Sequence, residues 1–199
     1  MNVQKTTFKK TDEKIITALV DIGQDKPLSK ITVSDITKLL KINRGTFYLH
    51  YSDKEELVNI MEGQLNKAIR KKLVGVMDEL LVLNFSNKKS FPHLLDLFHF
   101  LNANKKKLKW LVGPTGDPNF MDTIKDILKN NLLVRVKQLT GTQTFIATIP
   151  DRYVIHIVIS GIIDIIEFWL KEEDSLSEKE ISDILVNTRV LSPYQLLNL

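Results

Sequence analysis

The chain has 199 residues, 43% of them apolar, and 28 Lys or Arg against 24 Asp or Glu give a formal net charge of +4. That is enough apolar mass for one large or two small cores, and the absence of cysteine excludes disulfides, thiolate zinc sites and a cysteine nucleophile. Residues 1–50 hold nine basic and five acidic side chains, whereas residues 51–199 hold nineteen of each, so the whole net charge sits at one end, as contact with a polyanion through that end requires.

Residues 1–10, with Lys5, Lys9 and Lys10, read as a short basic arm without the apolar core of a secretory signal, and a cytoplasmic location is expected. Thr11 followed by Asp12 and Glu13 predicts a helix start, and Ile15, Ile16, Leu19 and Ile22 mark a buried stripe that runs to Gly23. After Pro27 and Leu28, Thr32 is placed to cap a short helix whose Ile36, Leu39 and Leu40 share one face. Asn43 is placed to cap a second helix, with Phe47 and Tyr51 turned inward. The polar positions left on that second helix are Arg44, Thr46, Tyr48 and His50. They carry hydrogen-bond donors, one fixed positive charge and aromatic polar tips, which suit phosphate and base edges.

A long helix follows from Ser52, where Ser52 and Glu55 have capping-box spacing and Leu57, Ile60, Met61, Leu65, Ile69, Leu73, Val76 and Leu80 continue an apolar face. A break is expected over residues 84–89. Short helical patterns cover residues 91–102 and 105–112, and the turn from Gly113 to Pro118 leads into a helix with Pro118 at its first position, running to about Leu139. Residues 141–148 read as a loop. Residues 151–171 are rich enough in Ile and Val for a strand, but some twenty residues without a turn signal decide for helix. Ser177 and Glu180 have capping-box spacing for a last helix, and residues 192–199 read as a tail. The most apolar run, residues 154–166, is interrupted by His156, Ser160 and Asp164 and falls short of the roughly twenty residues of a membrane span, so no membrane partner is expected.

The chain therefore reads as all-α, with about nine helices: a three-helix helix-turn-helix domain over residues 1–52 and a larger helical domain over residues 53–199. No phosphate-cradling glycine loop or nucleophile elbow is present, His93 and His99 are six apart and His156 stands alone, so neither an enzyme, a metal site nor a cofactor is expected. Phe100, Trp110, Phe120, Tyr153 and His156 are expected to line a ligand pocket. Gly161 allows close helix approach within a stripe of Ile155, Ile159, Ile162 and Ile166, which with Trp169 and Ile184 is expected to pair with its copy across a two-fold axis as a four-helix interface.

Ile31-Thr32-Val33-Ser34-Asp35-Ile36, followed by Ile42-Asn43-Arg44-Gly45-Thr46-Phe47-Tyr48-Leu49-His50-Tyr51-Ser52-Asp53-Lys54-Glu55-Glu56-Leu57, resembles the N-terminal DNA-binding domain of the tetracycline-repressor (TetR/AcrR) family. The match covers about residues 11–60, and its Thr-Phe-Tyr-x-His-Tyr core before Lys54 carries it. This resemblance implies that Ser34, Arg44, Gly45 and Thr46 face base edges while Thr32, Tyr48, His50 and Lys54 hold phosphates. Arg44 has the fork that pairs with guanine, and Gly45 permits close backbone approach. Two positions depart from the family pattern: Thr37 replaces a frequent alanine, and Lys41 stands where a turn glycine is usual, a substitution that costs on the order of 1 kcal/mol if φ is positive. The later helices, the turn ending Gly116-Asp117-Pro118 and Ser160-Gly161-Ile162-Ile163 before Trp169 resemble a subgroup that includes regulators of dihydroxyacetone kinase. The function implied is a ligand-responsive, sequence-specific regulator. It is expected to act as a repressor on a near-palindromic double-stranded DNA operator, as a homodimer with an unidentified small-molecule effector. The alternative is an adaptor or co-activator of the same fold controlled by a protein partner.

Overall fold

The computed structural model describes residues 3–82, 91–142, 145–146, 148–174, 176–190 and 193–197. These form α1 (Val3–Gly23), a 3-10 turn (Leu28–Lys30), α2 (Val33–Leu40), α3 (Arg44–Tyr48), α4 (Lys54–Val82), α5 (Pro92–Ala103), α6 (Lys105–Leu111), α7 (Phe120–Thr140), α8 (Asp151–Lys171), α9 (Glu178–Val190) and a last short turn of helix, α10 (Pro193–Leu196). No strand occurs among the described residues, and the fold is all-α as expected. The expected break over residues 84–89 lies outside the described residues, as does the side chain of Lys5. By contacts the chain divides into two compact units, residues 1–65 with 106–121 and residues 66–105 with 122–199.

In the first unit α1 begins at Val3 rather than at Thr11, so the expected arm is helical. Nothing between Val3 and Lys10 stops a helix, and the Thr11 hydroxyl donates back to the Thr7 carbonyl at 3.1 Å, the bond of a helix interior rather than of a cap. Ile15, Ile16 and Leu19 are buried, and α1 packs on α2 through Ile36, which is fully buried. Leu39 was expected on that face, yet it is 53% exposed, and Thr37 takes the inward position. An eight-residue helix shows its neighbour little more than two turns, so one step around the axis exchanges a leucine for a threonine. The Thr37 hydroxyl donates to the Ser34 carbonyl at 3.3 Å, which satisfies it in place.

The turn after α2 closes at Lys41, whose φ of 54° and ψ of 41° are left-handed, and Ile42 N–H donates to the Thr37 carbonyl at 3.0 Å. This is a glycine-type helix end built with a lysine. α4 starts one residue later than its predicted box: Asp53 Oδ1 accepts the Glu56 N–H at 2.7 Å and Glu56 Oε2 accepts the Ser52 N–H at 2.6 Å, so the cap is Asp53 rather than Ser52. Likewise α7 starts at Phe120, with Pro118 ahead of it instead of at its first position. α6 closes this unit with Leu108, Trp110 and Leu111 buried. A Cβ on Gly23 would lie 2.2 Å from the Trp110 ring, so that glycine admits the indole as well as ending the helix.

In the second unit α5 and α8 both pack on α9. Leu94, Leu97, Phe98 and Leu101 of α5 are buried, and Phe98 meets Trp169 edge to face, with ring centroids 5.4 Å apart. The buried carboxylate of Glu79 on α4 accepts the His93 and Leu94 N–H groups at 3.1 and 3.0 Å and so caps α5 from another helix. The predicted Ser177–Glu180 capping box is present, with Ser177 Oγ donating to Glu180 Oε2 at 2.6 Å.

α8 differs from expectation in two ways. At 21 residues it is long and apolar enough, by length and composition alone, to cross a membrane, because the helix continues past the 154–166 run through Phe168, Trp169 and Leu170 and its average stays apolar. Ile159, Ile162 and Trp169, expected to meet a second copy, are already buried in the single chain. The outward residues are Tyr153, Ile157 (63% exposed) and Phe168 (67% exposed), with Gly161 open and Ile184 of α9 38% exposed, while Ile155 and Ile166 are half-buried. A helix apolar on two sides does not reveal by spacing which stripe is internal.

Candidate nucleic-acid interface

Two capped helix starts set α2 and α3. Thr32 Oγ1 accepts the Asp35 N–H at 3.2 Å and donates to Asp35 Oδ2 at 2.8 Å, while the Thr32 N–H donates to the same oxygen at 2.8 Å. Lys26 Nζ adds a third donor to that oxygen at 2.7 Å. The Lys26 bond first, and then those from Thr32, hold the Asp35 carboxyl down to about 2. Asn43 Oδ1 accepts the Gly45 N–H at 2.9 Å and opens α3. Only Phe47 of α3 is buried, with Tyr51 just beyond it, so the five-residue helix presents the rest of its surface outward.

Of the expected base-contact residues, Arg44 and Gly45 are exposed, and Ser34 and Thr46 are half-buried. Arg44 Nη2 donates to Ser34 Oγ, which brings the two together across the turn. Of the expected phosphate contacts, Tyr48 is 53% exposed and stands edge-on to Phe47 with centroids 5.6 Å apart. Thr32 is exposed, although its hydroxyl is used in the capping box. Lys54 is largely covered: its Nζ donates to the Leu28 carbonyl at 2.9 Å and pairs with Glu55 at 3.4 Å.

His50 does not take the position expected of a phosphate contact. Its side chain is 5% exposed, Nδ1 lies 2.6 Å from Asp12 Oδ1, and the ring stacks on Phe8 with centroids 3.9 Å apart. Neither Asp12 nor Phe8 was read as part of this site. They lie some forty residues upstream, and no local spacing connects them to His50.

The expected ligand-pocket residues are divided between the two units. Trp110 and Phe120 are buried in the core of the first unit, whereas Tyr153 and His156 are exposed on α8 and Phe100 is half-buried on α5. Large aromatics are as often core as ligand-facing, and only packing distinguishes them.

Residues 15–61 match the family of bacterial regulatory proteins named tetR, in its N-terminal region, and residues 88–189 match a transcriptional regulator C-terminal region, TetR_C_8. Over 107 residues, 47% of this chain, the sequence is 34% identical to the HTH-type transcriptional regulator YxbF of Bacillus subtilis (strain 168). Over 46 residues, 23% of this chain, it is 41% identical to the HTH-type transcriptional regulator YvdT of the same organism. The matched stretches span 26% and 24% of those relatives. In fold the chain is similar to a TetR transcriptional regulator from Streptococcus agalactiae 2603V, with a TM-score of 0.60 and 20% identity over 94% of this chain and 97% of that one. It is also similar to the dihydroxyacetone kinase operon activator DhaS, with a TM-score of 0.54 and 20% identity over 90% of this chain and 94% of that one.

Proposed function

Because the chain belongs to the tetR family of bacterial transcriptional regulators, DNA-binding proteins rather than enzymes, we propose that it is a cytoplasmic, homodimeric repressor that binds a near-palindromic operator and is released by a small molecule. The observation that carries this reading is the pair of capped helices α2 and α3. Their outward surface offers the Arg44 guanidinium, the bare backbone at Gly45 and the half-exposed Tyr48 on the basic end of the chain. Arg44 and Gly45, with Ser34 and Thr46 beside them, read bases, and Tyr48, Thr32 and Lys54 hold phosphates.

One such motif buries too little surface for specific binding, which favours a dimer. The open face of α8 and α9, with Ile157, Gly161, Phe168 and Ile184, supports pairing with a second copy through a stripe one step around the helix from the Ile159–Ile162 stripe. A two-fold dimer must place its recognition helices about 34–36 Å apart or at a multiple of that spacing. An effector that favours another separation therefore lowers affinity by shifting a population. α4, a helix of 29 residues with members in both contact units, is the element through which such a shift would pass. Phe100, half-buried on α5 with the Lys72 ammonium 5.6 Å from its ring centroid, is the aromatic best placed to meet the effector.

Selection of bound duplexes from genomic fragments, followed by mobility shift of the enriched sequence, tests the reading. Enrichment of a two-fold-related site, bound by a dimer and released by a metabolite of the adjacent genes, is the expected result. Absence of any enriched sequence would refute it.

A further inference from the structure

His50 lies in the segment where the family resemblance implies a phosphate contact, yet its imidazole is already occupied on two sides. Nδ1 is 2.6 Å from Asp12 Oδ1, and because a carboxylate oxygen only accepts, Nδ1 carries the hydrogen. Phe8 stacks on the ring with the planes 23° apart, and the side chain keeps 5% of its exposure. The same carboxylate reaches the next residue. Tyr51 is buried, and its hydroxyl is pushed above the ordinary range by that burial first and then by the charge and hydrogen bond of Asp12, with Glu56 a lesser neighbouring charge. One carboxylate on α1 thus ties down two consecutive residues at the end of α3. A five-residue helix has no stability of its own, so its direction is set by such attachments and by the burial of Phe47.

We propose that Asp12 and His50 are positioning residues for DNA recognition: with Phe8 they clamp α1 to the end of α3 and so aim Arg44 and Tyr48, while His50 itself touches no phosphate. The proposal rests on the reading of α2 and α3 as the DNA interface. It assigns a role to the first turns of α1, which reach back beyond the predicted helix start as far as Phe8 to supply the stacking ring. It also reassigns His50 from contact to support.

The two roles differ in salt dependence. A lost phosphate contact lowers the slope of log K against log salt by about 0.9, whereas a misaimed helix lowers affinity with the ion count unchanged. The full-length protein and its Asp12→Asn, His50→Gln, Asp12→Asn/His50→Gln and Phe8→Ala variants are titrated by fluorescence anisotropy. The probe is a duplex enriched from random-sequence DNA by the wild-type protein, used over a range of KCl concentrations. Each single variant of Asp12 or His50 is expected to bind about tenfold more weakly at unchanged slope, with the double variant no weaker than the worse single one, as befits two halves of one contact. Phe8 is half-exposed, so Phe8→Ala folds and weakens binding in the same way. In NMR spectra the slowly exchanging His50 Nδ1 proton is expected in the wild type and lost in Asp12→Asn, a signature that general destabilisation of a still-folded chain does not produce. A slope reduced by about one in His50→Gln, wild-type affinity in both singles, or additive losses would overturn the clamp. Arg44→Ala separates the two readings: if it too binds as the wild type, or the wild type enriches no sequence, the DNA interface falls and takes the clamp with it. If only Arg44→Ala weakens binding, the clamp alone falls.

Discussion

The guanidinium of Arg44 at the start of α3 donates to the hydroxyl of Ser34 on α2, so the two side chains proposed for neighbouring base edges hold each other across the turn. A guanidinium supported from one side gives up less freedom when it meets a guanine, because its rotamer is already selected. Arg44→Ala is expected to cost about 1–3 kcal/mol on the enriched duplex and much less on a scrambled one, since a bidentate contact carries discrimination rather than bulk affinity. Ser34→Ala leaves the fork but not its support, and its expected loss is below that of Arg44→Ala. Anisotropy on the two duplexes checks both; equal losses on enriched and scrambled DNA would show that Arg44 holds phosphate instead.

The Lys26 bond and the Thr32 capping box make the Asp35 carboxylate a better anion in the folded chain than in the unfolded one, with its pKa at about 2 against an ordinary 3.8. A depressed carboxyl stabilises the fold above its unfolded value, and that contribution is lost as pH falls through the folded one. Asp35→Asn, which keeps the shape but loses the charge, is therefore expected to melt below the wild type near neutral pH by the equivalent of about 1 kcal/mol, the usual worth of a helix cap. The gap should close between about pH 4 and pH 2. Thermal melts of both proteins across that range decide it, and a gap that persists unchanged at the acid end would show that shape rather than charge is responsible.

Lys41 is the sole non-glycine residue with positive φ among the described residues, at 54°. Its Cβ crowds the following carbonyl there, at a cost of roughly 1–2 kcal/mol, while a glycine in its place would lose more chain entropy on folding, by about 0.5–1 kcal/mol. The strain is the larger quantity, so Lys41→Gly is expected to stabilise the protein by up to about 1 kcal/mol, which is about 2–4 °C in a chain of this size. A melting temperature unchanged or lowered would mean that the lysine side chain supplies a compensating contact.

What could be read from the sequence follows the range of each interaction. The caps at Thr32, Asn43 and Ser177 act over two or three residues, and their spacing is visible in any linear reading. The tie between Asp12 and His50 spans thirty-eight residues, and the capping of α5 by Glu79 spans fourteen or fifteen. Neither has a local signature. The outward placement of Arg44, Gly45 and Tyr48 is legible because Phe47 and Tyr51 so clearly point inward; the burial of His50 is not, because a polar residue on a short helix is as readily drawn to a carboxylate on a neighbouring helix as to solvent. For the same reason of range, Gly23 read as a helix stop while its closeness to Trp110 stayed hidden.

Glu62 on α4 behaves oppositely to Asp35. Burial first, and then the charge and hydrogen bond of Asp117, raise its carboxyl to about 7 from an ordinary 4.5. A raised carboxyl binds its proton more tightly in the folded chain, so the fold is most stable relative to the unfolded state below about pH 4.5 and loses that advantage as pH rises towards 7. Glu62 is half-buried rather than fully enclosed, so water screens part of the interaction and keeps the penalty under that of a fully buried carboxylate. Glu62→Gln keeps a hydrogen-bonding amide beside Asp117 and has no charge to desolvate. Its melting temperature is therefore expected to match the wild type near pH 4.5 and to exceed it above pH 7, by the few degrees that about 1 kcal/mol represents here. The matching Asp117→Asn variant removes the lesser cause only, so its gain at high pH is expected to be smaller. Melts of the three proteins between pH 4.5 and 8 supply the comparison, and a Glu62→Gln gain already complete at the acid end would mean that the site resists the side chain's shape rather than its charge.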